Sequence, residues 1–221
     1  MLNFALPCLF ASFVFLFLFI FLSIFNYKNR FHQSYDIRNH YPYELNYESK
    51  FKDNLLGNIS VIVFAVTSIG FYTLMDGKYN NGFLLFTLIA GSIYSLALAS
   101  LTFISFKSLR IHLLVVLLCI VLSFLIPFSN AFNLSQAYKT TKDATALVFM
   151  ILNAVYCLII FILMMNPKLS HWAELKEKNN PDGTVTYERP KYFILAFIEW
   201  FLIFTSPILM VLSLFTKLYI I

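Results

Sequence analysis

Six stretches of about twenty residues with almost no charge dominate this sequence, at about residues 2–25, 55–75, 82–106, 111–132, 145–165 and 192–215. A hydrocarbon core about 30 Å thick takes roughly 20 apolar residues as a helix, so each stretch is long enough to cross one. Continuity argues for helices rather than barrel strands. Strands of a membrane barrel are short and alternate apolar with polar residues, whereas Leu9 to Leu22 contains only Ser12 as a polar residue. In hydrocarbon every backbone N–H and C=O needs a partner, and a helix supplies them within one segment. The fold class this predicts is all-α: a polytopic bundle of six transmembrane helices forming one domain over residues 1–221.

Composition agrees. Apolar residues make up 60% of the chain and charged residues 12%, against roughly 45–50% and 25% in soluble domains. That excludes an ordinary soluble domain, and it excludes disorder, which needs low hydrophobicity and high charge. The three cysteines form no C-x-x-C pair, so neither a disulfide framework nor a cysteine zinc site is expected.

The first span has no Lys or Arg before Lys28 and ends in Phe25-Asn26-Tyr27-Lys28. It lacks the basic start and small-residue end of a cleaved leader and reads as a retained anchor. Orientation follows from Lys and Arg. The loops after spans one, three and five, among them the long loops 26–54 and 166–191, hold 12 of these residues. The opposite side holds Lys78, Lys139, Lys142 and Lys217. The positive-inside rule puts the richer side in the cytoplasm and both termini outside. A bacterial cytoplasmic membrane is the simplest location for such a chain. The net charge of +5 is spread among eight acids on the cytoplasmic side, a mixed surface that gives no case for nucleic acid.

Span one, crowded with Phe, is expected at the lipid-facing edge. Span three carries Gly91, Ser95 and Ala99 at i, i+4 and i+8, a ridge of small residues that lets another helix approach closely, and is the expected centre of the bundle. Pro127 and Pro207 interrupt spans four and six. In loop 26–54, the many tyrosines are expected along the lipid headgroups. In loop 166–191, Lys168 to Lys178 is expected to form a short interfacial helix with Leu169, Trp172 and Leu175 on one face. Asn180-Pro181-Asp182-Gly183 reads as a turn, and Thr184 to Tyr187 as extended. Trp172, Glu174 and Lys176 are the candidate docking residues for another membrane subunit.

No standard catalytic motif is present: no G-x-S-x-G, no H-E-x-x-H and no phosphate-binding glycine loop. His32, Asp36 and His40 fall at i, i+4 and i+8. On a helix the outer two lie about 12 Å apart, too far for one ion, so no metal site and no cofactor is expected. Glu199 is the one Asp, Glu, Lys or Arg inside a span. It lies about 10 Å below the cytoplasmic boundary by helix rise. A charge there is costly, and such residues usually face the interior, pair, or line a pathway. Ser100 and Thr102 of span three are its expected neighbours and candidate binding residues, with His112 shallower but within reach. The sequence therefore points to a membrane protein without a catalytic signature that binds or transports a small solute at Glu199. The other reading is an accessory subunit of a membrane complex. An enzyme would need a second buried titratable group facing Glu199.

Overall fold

A computed structural model describes residues 2–46, 50–75, 82–105, 108–171, 176–179, 185–188 and 192–219. Among the described residues there are six α-helices: α1 (Leu2–Phe31), α2 (Leu55–Met75), α3 (Gly82–Leu101), α4 (Leu109–Thr141), α5 (Ala144–Met164) and α6 (Ile194–Leu218). All but α3 are long and apolar enough by themselves to cross a membrane, and the described apolar run of α3, Leu85–Leu101, is shorter. The surface is what lipid requires. Phe4, Phe10 and Phe17 of α1 are each about 70% exposed, and large apolar side chains stand outward on every helix. Apolar patches of that extent are foreign to soluble monomers. The protein is a helical membrane protein.

Side-chain contacts set the directions of the helices. Ser12 of α1 meets Thr67 and Ser68 of α2, while Ser23 meets Asn54 just before α2, so this pair is antiparallel. Tyr156 against Thr205 and Phe149 against Phe215 make α5 and α6 antiparallel. On α4, His112 meets Glu199 and Asn130 meets Ser213, so α4 and α6 run parallel. One end of the bundle therefore gathers the starts of α2, α4 and α6.

Helix α6 touches all five other helices, which makes it the centre that span three was expected to be. Span three still packs closely. The Tyr72 ring of α2 lies over Gly91, where a side chain would collide with it. Helix α6 accommodates Pro207 by local chemistry. Proline cannot donate to the carbonyl four residues back, here that of Ile203. The Ser206 hydroxyl donates to that carbonyl instead, at 2.9 Å, so no acceptor is left bare in hydrocarbon.

Several boundaries differ from expectation. Helix α3 ends at Leu101 rather than near 106. The amides of Thr102, Phe103 and Ile104 bond back to Ala99 and Ser100, tightening the last turn. Helix α4 continues nine residues past 132, because no Gly or Pro interrupts Phe128 to Thr141. It turns into α5 through Lys142, in the left-handed region at φ 55°, and Asp143, whose carboxylate accepts the Thr145 amide at 2.8 Å. The Thr145 amide and the Tyr219 hydroxyl hold the Asp143 carboxyl below its ordinary range.

The interfacial helix expected through Lys178 does not form. Pro167–His171 is a short 3-10 turn, and Lys176–Asn179 (β1) pairs antiparallel with Val185–Glu188 (β2), with Lys176 opposite Glu188. The β-branched and aromatic residues Val185, Thr186 and Tyr187 favour strand, and pairing with them overrides helix propensity in β1. The extended reading of this stretch agrees. The expected turn at Asn180–Gly183 lies outside the described residues.

Candidate functional site: a buried acid–base pair under an aromatic segment

At the end where α4 and α6 begin, His112 sits in the first turns of α4 and Glu199 in the second turn of α6. Their side chains are fully buried. His112 Nε2 lies 2.9 Å from Glu199 Oε1, and Nδ1 lies 2.7 Å from the carbonyl oxygen of Ile104. That carbonyl is available because α3 has already ended.

The hydrogen bonds constrain the proton. A carbonyl only accepts, so Nδ1 carries a hydrogen. One further proton lies along Nε2···Oε1. Either the ring is an imidazolium facing a carboxylate, or it is a neutral imidazole accepting from a carboxylic acid. Both arrangements leave the pair with no net charge, the state that low-dielectric surroundings favour. Glu199 Oε2 is buried with no hydrogen-bond partner among the described residues.

The covering of this pair is formed by residues expected in the headgroup layer. After α1, His32 takes a positive φ of 54° and the chain turns back. Tyr41, Pro42, Tyr43, Glu44 and Leu45 are all buried. The Tyr41 and Tyr43 rings stack on each other and meet the His112 ring edge-on, with centroids 6.2 and 5.5 Å away. Polar groups tie the segment down. The Trp200 indole N–H donates to the His40 carbonyl at 2.9 Å, the Tyr35 hydroxyl to the Tyr41 carbonyl at 2.8 Å, and the Arg30 guanidinium to the Leu45 carbonyl at 2.6 Å. The Phe193 amide, just before α6, donates to the Arg38 carbonyl at 2.9 Å. Burial pushes the Tyr35 hydroxyl well above its ordinary value, which keeps it a donor. On the exposed flank, Arg38 grips Asp36 through two nitrogens and pulls that carboxyl down to about 2.

The spacing of His32, Asp36 and His40 has no helix beneath it. Residues 34–36 have no regular structure and 37–40 form a turn and bend, and the described residues contain no cluster of three metal-ligating side chains.

Ser100 and Thr102 lie at the end of α3 on the same side of the bundle. Ser100 Oγ donates to the Ala97 carbonyl and Thr102 Oγ1 to the Ala99 carbonyl, while the Thr102 carbonyl accepts from Asn46. The recorded hydrogen bond of Glu199 goes to His112. Of the docking candidates, Lys176 opens β1, and Trp172 and Glu174 lie outside the described residues.

Sequence reasoning missed the aromatic segment. Its signal was Pro42 within a run of tyrosines, which reads equally as a headgroup-lying loop. It reached Glu199 from depth alone and named His112 as a shallower residue within reach; the structure brings the two into contact, so the second buried titratable group that an enzyme would need is present. Comparison with protein-family models, curated proteins and solved structures finds no match to this chain.

Proposed function

We propose that the chain is a six-span protein of a bacterial cytoplasmic membrane, with both termini outside and loops 26–54 and 166–191 in the cytoplasm, and that it binds or transports a small solute at Glu199. The observation that carries this reading is the Glu199–His112 pair. Ionisable residues inside membrane spans are costly and are usually retained for function. The 2.9 Å contact calls for one shared proton, and one carboxylate oxygen has no hydrogen-bond partner among the described residues. Ser100 and Thr102 remain candidate lining residues at the same end.

The six-span arrangement is supported by the antiparallel pairs α1–α2 and α5–α6, by α4 running parallel to α6, and by the 20 residues of α3, about 30 Å of helix rise. Single cysteines at Lys50 and Lys139, in a chain without its native cysteines, test the orientation. A membrane-impermeant maleimide added outside intact cells should label position 139 and not position 50, and the reverse pattern sinks the orientation.

The solute reading is tested by native mass spectrometry of the protein from its own host in mild detergent, beside Glu199→Gln. A small molecule held by the wild type and absent from the variant supports it. A protein partner retained by both forms, with no small molecule, favours the second reading, an accessory subunit docking through Trp172, Glu174 and Lys176. That second reading has one observation in its favour. Within loop 166–191, strands β1 and β2 pair antiparallel, which gives the loop an ordered element.

A further inference from the structure

We propose that the Glu199–His112 site takes a small organic ammonium ion in exchange for its shared proton. This deepens the solute-site reading above and rests on it.

The argument starts from charge. The pair is neutral while it holds its proton, and both side chains are fully buried. Losing that proton would leave an uncompensated negative charge in the interior, which is strongly disfavoured. A monocation arriving at Glu199 Oε2 removes that obstacle. The ammonium enters intact and donates an N–H to Oε2, which has no partner among the described residues. The proton between Nε2 and Oε1 leaves to water. What remains is a neutral imidazole with its hydrogen on Nδ1, a carboxylate and the ammonium, again with no net charge; Nε2 and Oε1 are then both acceptors, so their 2.9 Å contact must open and a second ammonium N–H take the place of the lost proton. No bond other than N–H or O–H changes.

The surroundings select the sign and the kind of cation. The carboxylate left behind by the departing proton attracts a cation rather than an anion, and Glu44 is a second acid buried in the covering segment. Among the described residues, the other titratable groups around the site are Cys119 of α4 and Tyr35, Tyr41 and Tyr43 of the segment, and the nearest basic groups, Arg30 and His40, belong to the covering, where Arg30 is held on the Leu45 carbonyl. A bare metal ion needs several oxygen ligands, and no cluster of three ligating side chains is found among the described residues. Tyr41 and Tyr43 line the side of His112, and aromatic rings attract ammonium groups through their faces. The segment Tyr41–Leu45 fills the approach, so binding requires it to move.

The test uses the purified full chain in weakly buffered detergent solution, with benzylammonium chloride as the probe and benzyl alcohol as its uncharged counterpart. Benzylammonium is expected to bind saturably and release close to one proton per amine bound, and benzyl alcohol to release none. Glu199→Gln should abolish the release and weaken binding at least about tenfold, since it removes one partner of a buried charge contact. Tyr43→Leu leaves the pair in place, so it should weaken binding a few-fold with unchanged proton stoichiometry. It keeps the test decisive if Glu199→Gln fails to fold. No saturable benzylammonium binding, binding without proton release, or equal affinity in a folded Glu199→Gln overturns the proposal. If a neutral molecule copurifies through Glu199 while benzylammonium does not bind, the ammonium inference falls and the solute site stands.

Discussion

Replacing His112 with leucine while keeping Glu199 measures what the buried pair holds together. Leucine occupies a similar volume, so the cavity cost is small. Glu199 is then left in the interior without its partner. If the carboxyl stayed charged, breaking such a pair would cost about 3–5 kcal/mol. If it takes up a proton, the cost drops to that of a buried unsatisfied polar group, about 1–3 kcal/mol. The two ranges meet at about 3 kcal/mol, which is the expected loss. An ordinary interhelical hydrogen bond in a membrane contributes about 0.6–1.7 kcal/mol, so the difference is measurable. For a chain of 221 residues, about 3 kcal/mol corresponds to roughly 6–12 °C in Tm. The assay is thermal unfolding in detergent, followed by fluorescence of Trp200, which is buried next to Glu199 in the chain. The control is His112→Leu with Glu199→Met. Both variants deprive the Ile104 carbonyl of its donor, so that cost cancels between them. The double variant should therefore be more stable than the single one and fall short of wild type only by the cost of the bare Ile104 carbonyl, because apolar replacement of a whole buried pair is otherwise nearly neutral. A loss below roughly 2 °C in the single variant, or a double variant as unstable as the single, refutes the reasoning.

Trp200→Phe removes the N–H that serves the His40 carbonyl. It should speed amide hydrogen exchange across residues 35–46 while leaving α5 unchanged, and unchanged exchange in the segment would show that the indole is not a tether. Gly91→Ala places a methyl group against the Tyr72 ring, and overpacking of this kind costs about 1–3 kcal/mol. Its Tm should fall, and Tyr72→Leu in the same chain should recover part of the loss; a Tm equal to wild type would mean the α2–α3 contact is looser than described. Asp143 has its carboxyl held low by the Thr145 amide and the Tyr219 hydroxyl. A depressed carboxyl adds stability above its unfolded value and surrenders it as pH falls through its folded value. Asp143→Asn should therefore lower Tm at neutral pH and converge on wild type in acid, and a gap independent of pH would rule out the carboxylate as its source.

The solvent, the helices and the one anomalous acid were written in the chain itself. An apolar run of twenty residues has one outcome in hydrocarbon, because a helix alone satisfies its backbone within the segment. Glu199 stands out because charge inside such a run is costly wherever the run ends up. What the run does not contain is helix rotation or register. Those decide that the first turns of α4 and the second turn of α6 face each other, that α3 stops in time to offer the Ile104 carbonyl to His112, and that α6 rather than α3 occupies the centre. Tyr41 to Leu45 illustrate the same limit. Tyrosine is amphipathic and suits a headgroup layer or a polar interior equally, and only the ties from Arg30, Tyr35 and Trp200 choose the interior. The strand at Lys176–Asn179 was hidden because its own residues favour helix, and its partner β2 supplies the pairing. Local composition set each element's solvent and length; contacts between residues 87 positions apart, His112 and Glu199, built the site.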